Sequence, residues 1–137
     1  SPPMNFMNMK IFDDGGKIYG DEGNFKIQFT GRNEDLVRPY IDKELIFGVR
    51  PEDLQWAENA SEGTYVPAKV TVVEPLGAEI HVYIDTGSHT IIARIDPNIE
   101  VKVGQEVKFT PRDDKVIFFD IESEQALGAE VSQGAAE

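Results

Sequence analysis

The chain has 137 residues, enough for one domain or two very small ones sharing a core, and too few for most multi-domain enzymes. Apolar residues at 40% and charged residues at 28% fit a soluble globular chain, and no apolar run approaches the roughly 20 residues that span a bilayer. Acidic residues number 25 against 13 basic ones, and the formal charge of -12 repels phosphate backbones and anionic membranes, so nucleic acid is not expected as a partner.

The sequence has no cysteine, which excludes a disulfide framework, a thiolate zinc site and a cysteine nucleophile and suits a cytosolic setting. Its first residues, Ser1-Pro2-Pro3-Met4-Asn5, lack a start methionine and the basic, apolar, small-residue order of a signal peptide. The beginning is that expected of an excised fragment.

Short apolar stretches broken by turn residues predict an all-β chain with little helix. Met9 to Phe12 and Lys17 to Gly20 flank Asp13-Asp14-Gly15-Gly16, the composition of a tight hairpin turn. In Asn24 to Thr30 the residues Phe25, Ile27 and Phe29 alternate with polar ones and share one face. Residues 34–42 contain Leu36 and Val37, but Pro39 limits a helix to a turn, and the stretch is expected to be irregular. Glu44 to Val49 predicts a strand. It runs into Arg50-Pro51-Glu52-Asp53-Leu54, where proline at a first helical position and two early carboxylates favour a short helical turn. A polar loop is expected from Ala57 to Thr64.

The strongest β signal runs from Tyr65 to Ile95. Val70, Val72 and Val73 lead into Glu74-Pro75-Leu76-Gly77, which suits a type I turn. If Thr86-Gly87 is a two-residue loop, Ile84 faces His89, Val82 faces Ile91 and Ile80 faces Ala93, so one side of this hairpin belongs to the core. Tyr83 and Ile92 lie on the other side, as a partner contact or as part of a second barrel core. Gln105 to Thr110 and Lys115 to Ile121 predict two further strands, and residues 122–137, with four Glu and no Lys or Arg, read as a flexible tail. Short strands without crossover helices imply a compact, partly closed β-barrel or paired barrels.

No catalytic, cofactor-binding or metal-binding residues are assigned. Phosphate-loop, nucleophile-elbow and His-Glu-x-x-His spacings are all missing. His81 and His89 fall on opposite faces of the expected hairpin, so they do not share a metal. The acidic pairs Glu34-Asp35, Glu52-Asp53 and Asp113-Asp114 lack the spaced oxygens of a calcium loop.

Three motifs in order carry a resemblance: Ser1-Pro2-Pro3-Met4-Asn5-Phe6, Gly48-Val49-Arg50-Pro51-Glu52-Asp53-Leu54 and Val73-Glu74-Pro75-Leu76-Gly77, with Phe118-Phe119-Asp120 near the end. Over residues 1–121 the chain resembles the C-terminal regulatory domain of sugar-importer ABC ATPases of the maltose and glycerol-phosphate class. The resemblance implies an OB-like barrel of the TOBE type. The implied role is a regulatory and dimerisation module of an ATP-binding subunit, placed at the inner face of the cell membrane through permease subunits and open to a regulatory protein. It leaves ATP and magnesium to a nucleotide-binding domain outside this sequence. Gly48, Arg50, Pro51, Glu52, Asp53, Tyr83 and Ile92 are the candidate interface or structural residues. The alternative is a TOBE-type sensor of an oxyanion or a sugar.

Overall fold

A computed structural model describes residues 2–128. The expected all-β architecture is present: ten strands among the described residues form two five-stranded antiparallel sheets. The first sheet holds β1 (Asn5–Asp14), β2 (Lys17–Asp21), β3 (Lys26–Phe29), β4 (Glu44–Val49) and β10 (Ile117–Phe119), in the order β10-β4-β1-β2-β3. The second holds β5 (Leu54–Trp56), β6 (Val66–Pro75), β7 (Ile80–Asp85), β8 (Thr90–Ile95) and β9 (Glu106–Pro111), in the order β5-β9-β6-β7-β8. Its two outer strands, β5 and β8, approach each other, which curls this sheet toward a barrel.

Strict alternation drives burial. Met7, Met9 and Ile11 of β1 turn inward with Ile18, Ile27, Phe29, Phe47 and Phe118, while Val66, Val82, Ile84, Ile91, Val107 and Phe109 of the second sheet join the same apolar cluster. The first hairpin turns on Gly15 and Gly16, whose φ values of 63° and 93° fit a two-residue turn pairing Asp14 with Lys17.

The β7–β8 pairing differs from the expected register. Ile84 pairs with Ile91, Val82 with Ala93 and Ile80 with Ile95, and the loop has four residues, 86–89. Side chains stabilise the longer loop: the Thr86 hydroxyl accepts from the His89 amide at 2.9 Å, and Asp85 Oδ1 accepts from the Gly87 amide at 2.8 Å. A slip of two residues keeps each side chain on its face, so Val82, Ile84, Ile91, Ala93 and Ile95 are buried as expected, while Ile80, at the open end of the hairpin, is only partly buried against the same cluster. The preceding turn also shifts. Pro75 is the last residue of β6, opposite Ile80, and the chain reverses over Leu76 to Glu79 with Gly77 at φ 82°.

Two elements lie where none was expected. Residues before Pro39 form a helix α1 (Gly31–Val37) that buries Asn33 and Val37, because proline blocks a helix only near its own missing N–H; the turn Arg38–Tyr40 follows as a 3-10 helix. Leu54, the last residue of the expected helical turn, instead opens a short strand to Trp56 that pairs with β9.

The chain end differs from the tail expected from residue 122. Residues 122–128 fold back: the Leu127 amide donates to the Phe118 carbonyl at 2.8 Å, and Ala126 pairs with Phe119. The rest of that expected tail lies outside the described residues. Asp120 anchors the reversal. Its carboxylate accepts from the Ser123 amide at 2.9 Å and from the Tyr40 hydroxyl at 2.6 Å, and these bonds hold its pKa below the ordinary 3.8. A folded pKa below the unfolded one means the contribution to stability is complete above about pH 4 and is lost as pH falls through the lowered value. Tyr40→Phe is expected to raise the Asp120 pKa toward its ordinary value, read by NMR titration of the carboxyl carbon; an unchanged value contradicts the Tyr40 contribution.

Candidate interaction surface

The stretch from Gly48 to Leu54 is the joint between the sheets. Gly48 and Val49 end β4, Pro51 to Asp53 form a 3-10 turn, and Leu54 opens β5. Pro51 and Asp53 are buried, and the Asp53 amide donates to the Arg50 carbonyl at 2.9 Å, closing the turn expected from proline and early carboxylates. The Asp53 carbonyl accepts from the Arg112 amide at 2.9 Å, and the Arg112 guanidinium lies 4.0 Å from the Asp53 carboxylate. The ion pair at this joint therefore belongs to Arg112. Arg50 is exposed and makes no ion pair among the described residues.

Asn5 makes a second joint, absent from the reading of its motif. Its Nδ2 donates to the Ile92 carbonyl and its Oδ1 accepts from the Ile92 amide, both at 2.8 Å. One buried amide side chain thus occupies both backbone groups of Ile92 on the edge strand β8. Asn5→Asp substitutes an oxygen for the donor and sets it against the Ile92 carbonyl, so a loss of about 1–3 kcal/mol is expected by chemical denaturation. Faster hydrogen exchange at the Ile92 amide after Asn5→Leu is the local readout; unchanged exchange contradicts the clamp.

A third link uses His89, which lies in the loop and not on the core face of β8. Its Nδ1 is 2.7 Å from Glu22 Oε2, and its Nε2 accepts from the Asn8 amide at 3.2 Å. The Glu22 side chain is fully buried and also accepts from the Thr86 hydroxyl, which ties the β2–β3 connection to the β7–β8 loop. The neutral Nδ1–H tautomer satisfies both His89 contacts.

Other edges are covered too. The Gln28 amide of β3 donates to the Gly63 carbonyl at 2.8 Å, and residues 126–127 lie along β10. Covered edges resist an added strand at these positions, leaving sheet faces for contact.

On the outward face of the second sheet, the candidate residues Tyr83 and Ile92 stand directly opposite each other. Val72 joins them. A bulge between Val70 and Val72 inserts one residue into β6, so Val70 points inward while Val72, two residues on, points outward opposite Tyr83 and is 46% exposed. Val72, Tyr83 and Ile92 form one apolar row across three strands. On one side lies Lys69, Asp85 and Thr90; on the other lies Glu74, His81 and Arg94. Glu79 Oε2 sits 3.3 Å from His81 Nε2 and 3.2 Å from Arg94 Nε, packing His81 down to 8% exposure. Alternation alone pointed to Tyr83 and Ile92; Val72 was hidden because a bulge has no reliable sequence mark. His81 and His89 stand apart, and no cluster of three possible ligands gathers a metal site among the described residues.

Two five-stranded sheets around one core, linked by side-chain clamps, define an OB-type β domain. The chain belongs to the TOBE domain family, which matches residues 47–119, and residues 1–54 match the MalK OB fold domain. It is 34% identical over 129 residues to the oligosaccharides import ATP-binding protein MsmX of Bacillus subtilis, covering 90% of this chain and 34% of that protein. It is 32% identical over 133 residues to the trehalose/maltose import ATP-binding protein MalK of Thermococcus litoralis, covering 93% of this chain and 35% of that protein. The chain therefore spans about a third of the length of these curated relatives. A crystal structure of the cytoplasmic molybdate-binding protein ModG shares the fold with a TM-score of 0.62 at 14% identity, over 83% of this chain and 94% of that one.

Proposed function

We propose that this chain is the regulatory and dimerisation module of the ATP-binding subunit of an ABC importer for sugars or related carbohydrates. The carrying observation is the ordered family match, an OB fold domain at residues 1–54 and a TOBE domain at 47–119, shared with import ATP-binding proteins over nine-tenths of the chain. The sequence contains no phosphate-loop spacing, so nucleotide hydrolysis, with its ATP and magnesium, is assigned to another part of the parent subunit. Homodimerisation, contact with permease subunits through the nucleotide-binding part, and placement at the cytoplasmic face of the membrane follow from the same reading. No helix among the described residues is long and apolar enough to cross a membrane.

The alternative, a small-ligand sensor for an oxyanion or sugar, draws on the fold shared with ModG. A net charge of -12 opposes an anion unless clustered cations override it. The module reading has a direct test: removing this chain from the full-length subunit is expected to weaken dimerisation or transport regulation while the nucleotide site still hydrolyses ATP. Wild-type dimerisation and regulation in the truncated subunit would overturn it.

A further inference from the structure

We infer that the cavity between β3, β9 and α1 binds one small, neutral, polyhydroxylated ring, its C–H face on an apolar floor and its hydroxyls toward a rim of amides and hydroxyls. The inference rests on the sensor reading above, gives it a site and narrows its ligand to the neutral class. The cavity measures about 270 Å³, at the small end of small-molecule sites, which suits a single ring and not a chain of them. Both sheets build its floor. Ile27 and Phe29 of β3 and Phe47 of β4, each at most 5% exposed, line it with Pro111 of β9 and Val116, and the Phe29 and Phe47 rings stack with centroids 6.1 Å apart.

The polar side chains of the lining are uncommitted. Thr30 occupies the N-cap of α1 with extended backbone, where a hydroxyl normally accepts from the first helical amides, yet it makes no such bond. Asn33 Nδ2 donates to the Asp113 carbonyl at 2.9 Å, which joins α1 to the connection after β9. Its Oδ1 is left without a partner among the described residues, on a residue only 9% exposed. The side chains of Gln28, Thr110 and Asp113 line the same cavity and likewise make no hydrogen bond among the described residues. A wall serving stability alone would pair such groups with one another, because a half-buried polar group without a partner is destabilising. Unpaired donors and acceptors beside an apolar floor match a ring with hydroxyls at its edge and C–H groups on its face.

Charge selects the class of ligand. No Lys, Arg or His lines the cavity among the described residues, and its one ionisable side chain, Asp113, repels an oxyanion. The seven-residue α1 supplies side chains here and no anion site at its end. A carboxylate does accept from neutral hydroxyls, in bonds stronger than those between uncharged groups. A ring held there touches β3 and β9, which belong to different sheets, so its binding is felt at the junction between them.

NMR titration of this chain with D-glucose tests the site, with glucose 6-phosphate as the anionic counterpart and glucosamine as the cationic one. Glucose is expected to shift the amides of Gln28, Asn33 and Thr110 and the methyl groups of Ile27 and Val116, saturably and with a millimolar Kd. Both charged sugars are expected to bind more weakly, the phosphate by about tenfold. Thr110→Val keeps shape and strand preference while removing the hydroxyl, and Asp113→Asn removes the charge but keeps the backbone carbonyl that Asn33 holds. Each is expected to weaken glucose binding about five- to tenfold at an unchanged denaturant midpoint. Equal or stronger binding of either charged sugar, or full affinity in either variant, overturns the proposal. Saturable glucose shifts confined to the separate cleft lined by Tyr19 and Tyr65 remove this site and keep a sensor. No saturation with glucose or either counterpart leaves the cavity to water and removes the sensor reading with it.

Discussion

Replacing Val82 by aspartate is expected to abolish the folded state. Val82 is 0% exposed, opposite Val73 on one side and Ala93 on the other, in the apolar cluster shared by both sheets. A carboxylate there loses its water and gains no cation. The penalty for an isolated buried charge exceeds the roughly 5–15 kcal/mol that stabilise a domain, so the chain protonates the group or unfolds. Loss of dispersion in the NMR spectrum is the readout. Val82→Ala, which removes only methyl groups, is expected to cost about 2 kcal/mol and stay folded. Val72→Asp provides the control. Val72 is the neighbour that the bulge turns outward, and its aspartate is expected to fold normally. A folded Val82→Asp with an ordinary spectrum contradicts the assigned core.

The second large effect is expected at Gly48. A methyl group at this position meets Met4 Sδ at 2.8 Å, Phe119 Cε2 at 2.9 Å and the Ile117 carbonyl oxygen at 3.2 Å. The methionine tip is flexible, but the Ile117 carbonyl belongs to β10, which pairs with β4 at Gly48 itself. Gly48→Ala therefore displaces Phe119 or pries β10 from β4, for a loss of about 1–3 kcal/mol, and Gly48→Val is expected to exceed it. Denaturant midpoints measure both. Phe119→Ala combined with Gly48→Ala is expected to cost less than the sum of the two single changes, because the first removes the ring that the second strikes. Strict additivity would place the clash elsewhere.

The sequence marked Gly48 only as one of the candidate interface or structural residues. Its partners were not legible, because Ile117 and Phe119 lie about 70 residues away and only strand pairing brings them there. The core of the β7–β8 hairpin, by contrast, was readable. Alternation fixes the face of each side chain, and an error of two residues in the loop leaves that face unchanged. The bulge in β6 has the opposite effect. One extra residue reverses the pattern after Val70, so Val72 and Val73, equivalent as letters, part company. The clamps were out of reach for a different reason. Asn5 to Ile92 and Glu22 to His89 are polar contacts across 87 and 67 residues, and hydrogen-bonding side chains carry no periodic signal for where their partners lie. The helix from Gly31 was missed because Pro39 was given influence over residues well ahead of it.

Pairing of β10 with β4 also has a consequence for the order in which the molecule is made. Strands β1 to β4 emerge from the ribosome early, yet the rim beside Phe47 stays open until Phe118 arrives, after the entire second sheet has been synthesised. Contacts so distant along the chain close slowly, and an unpaired strand rim attracts other nascent chains in the interval. A ribosome stalled before Ile117 is expected to hold a first sheet of four strands with the outer rim of β4 unprotected, and protection of the Gly48 amide, which faces β10, should appear only when the last strand is released, while that of Phe47, which faces β1, is already present.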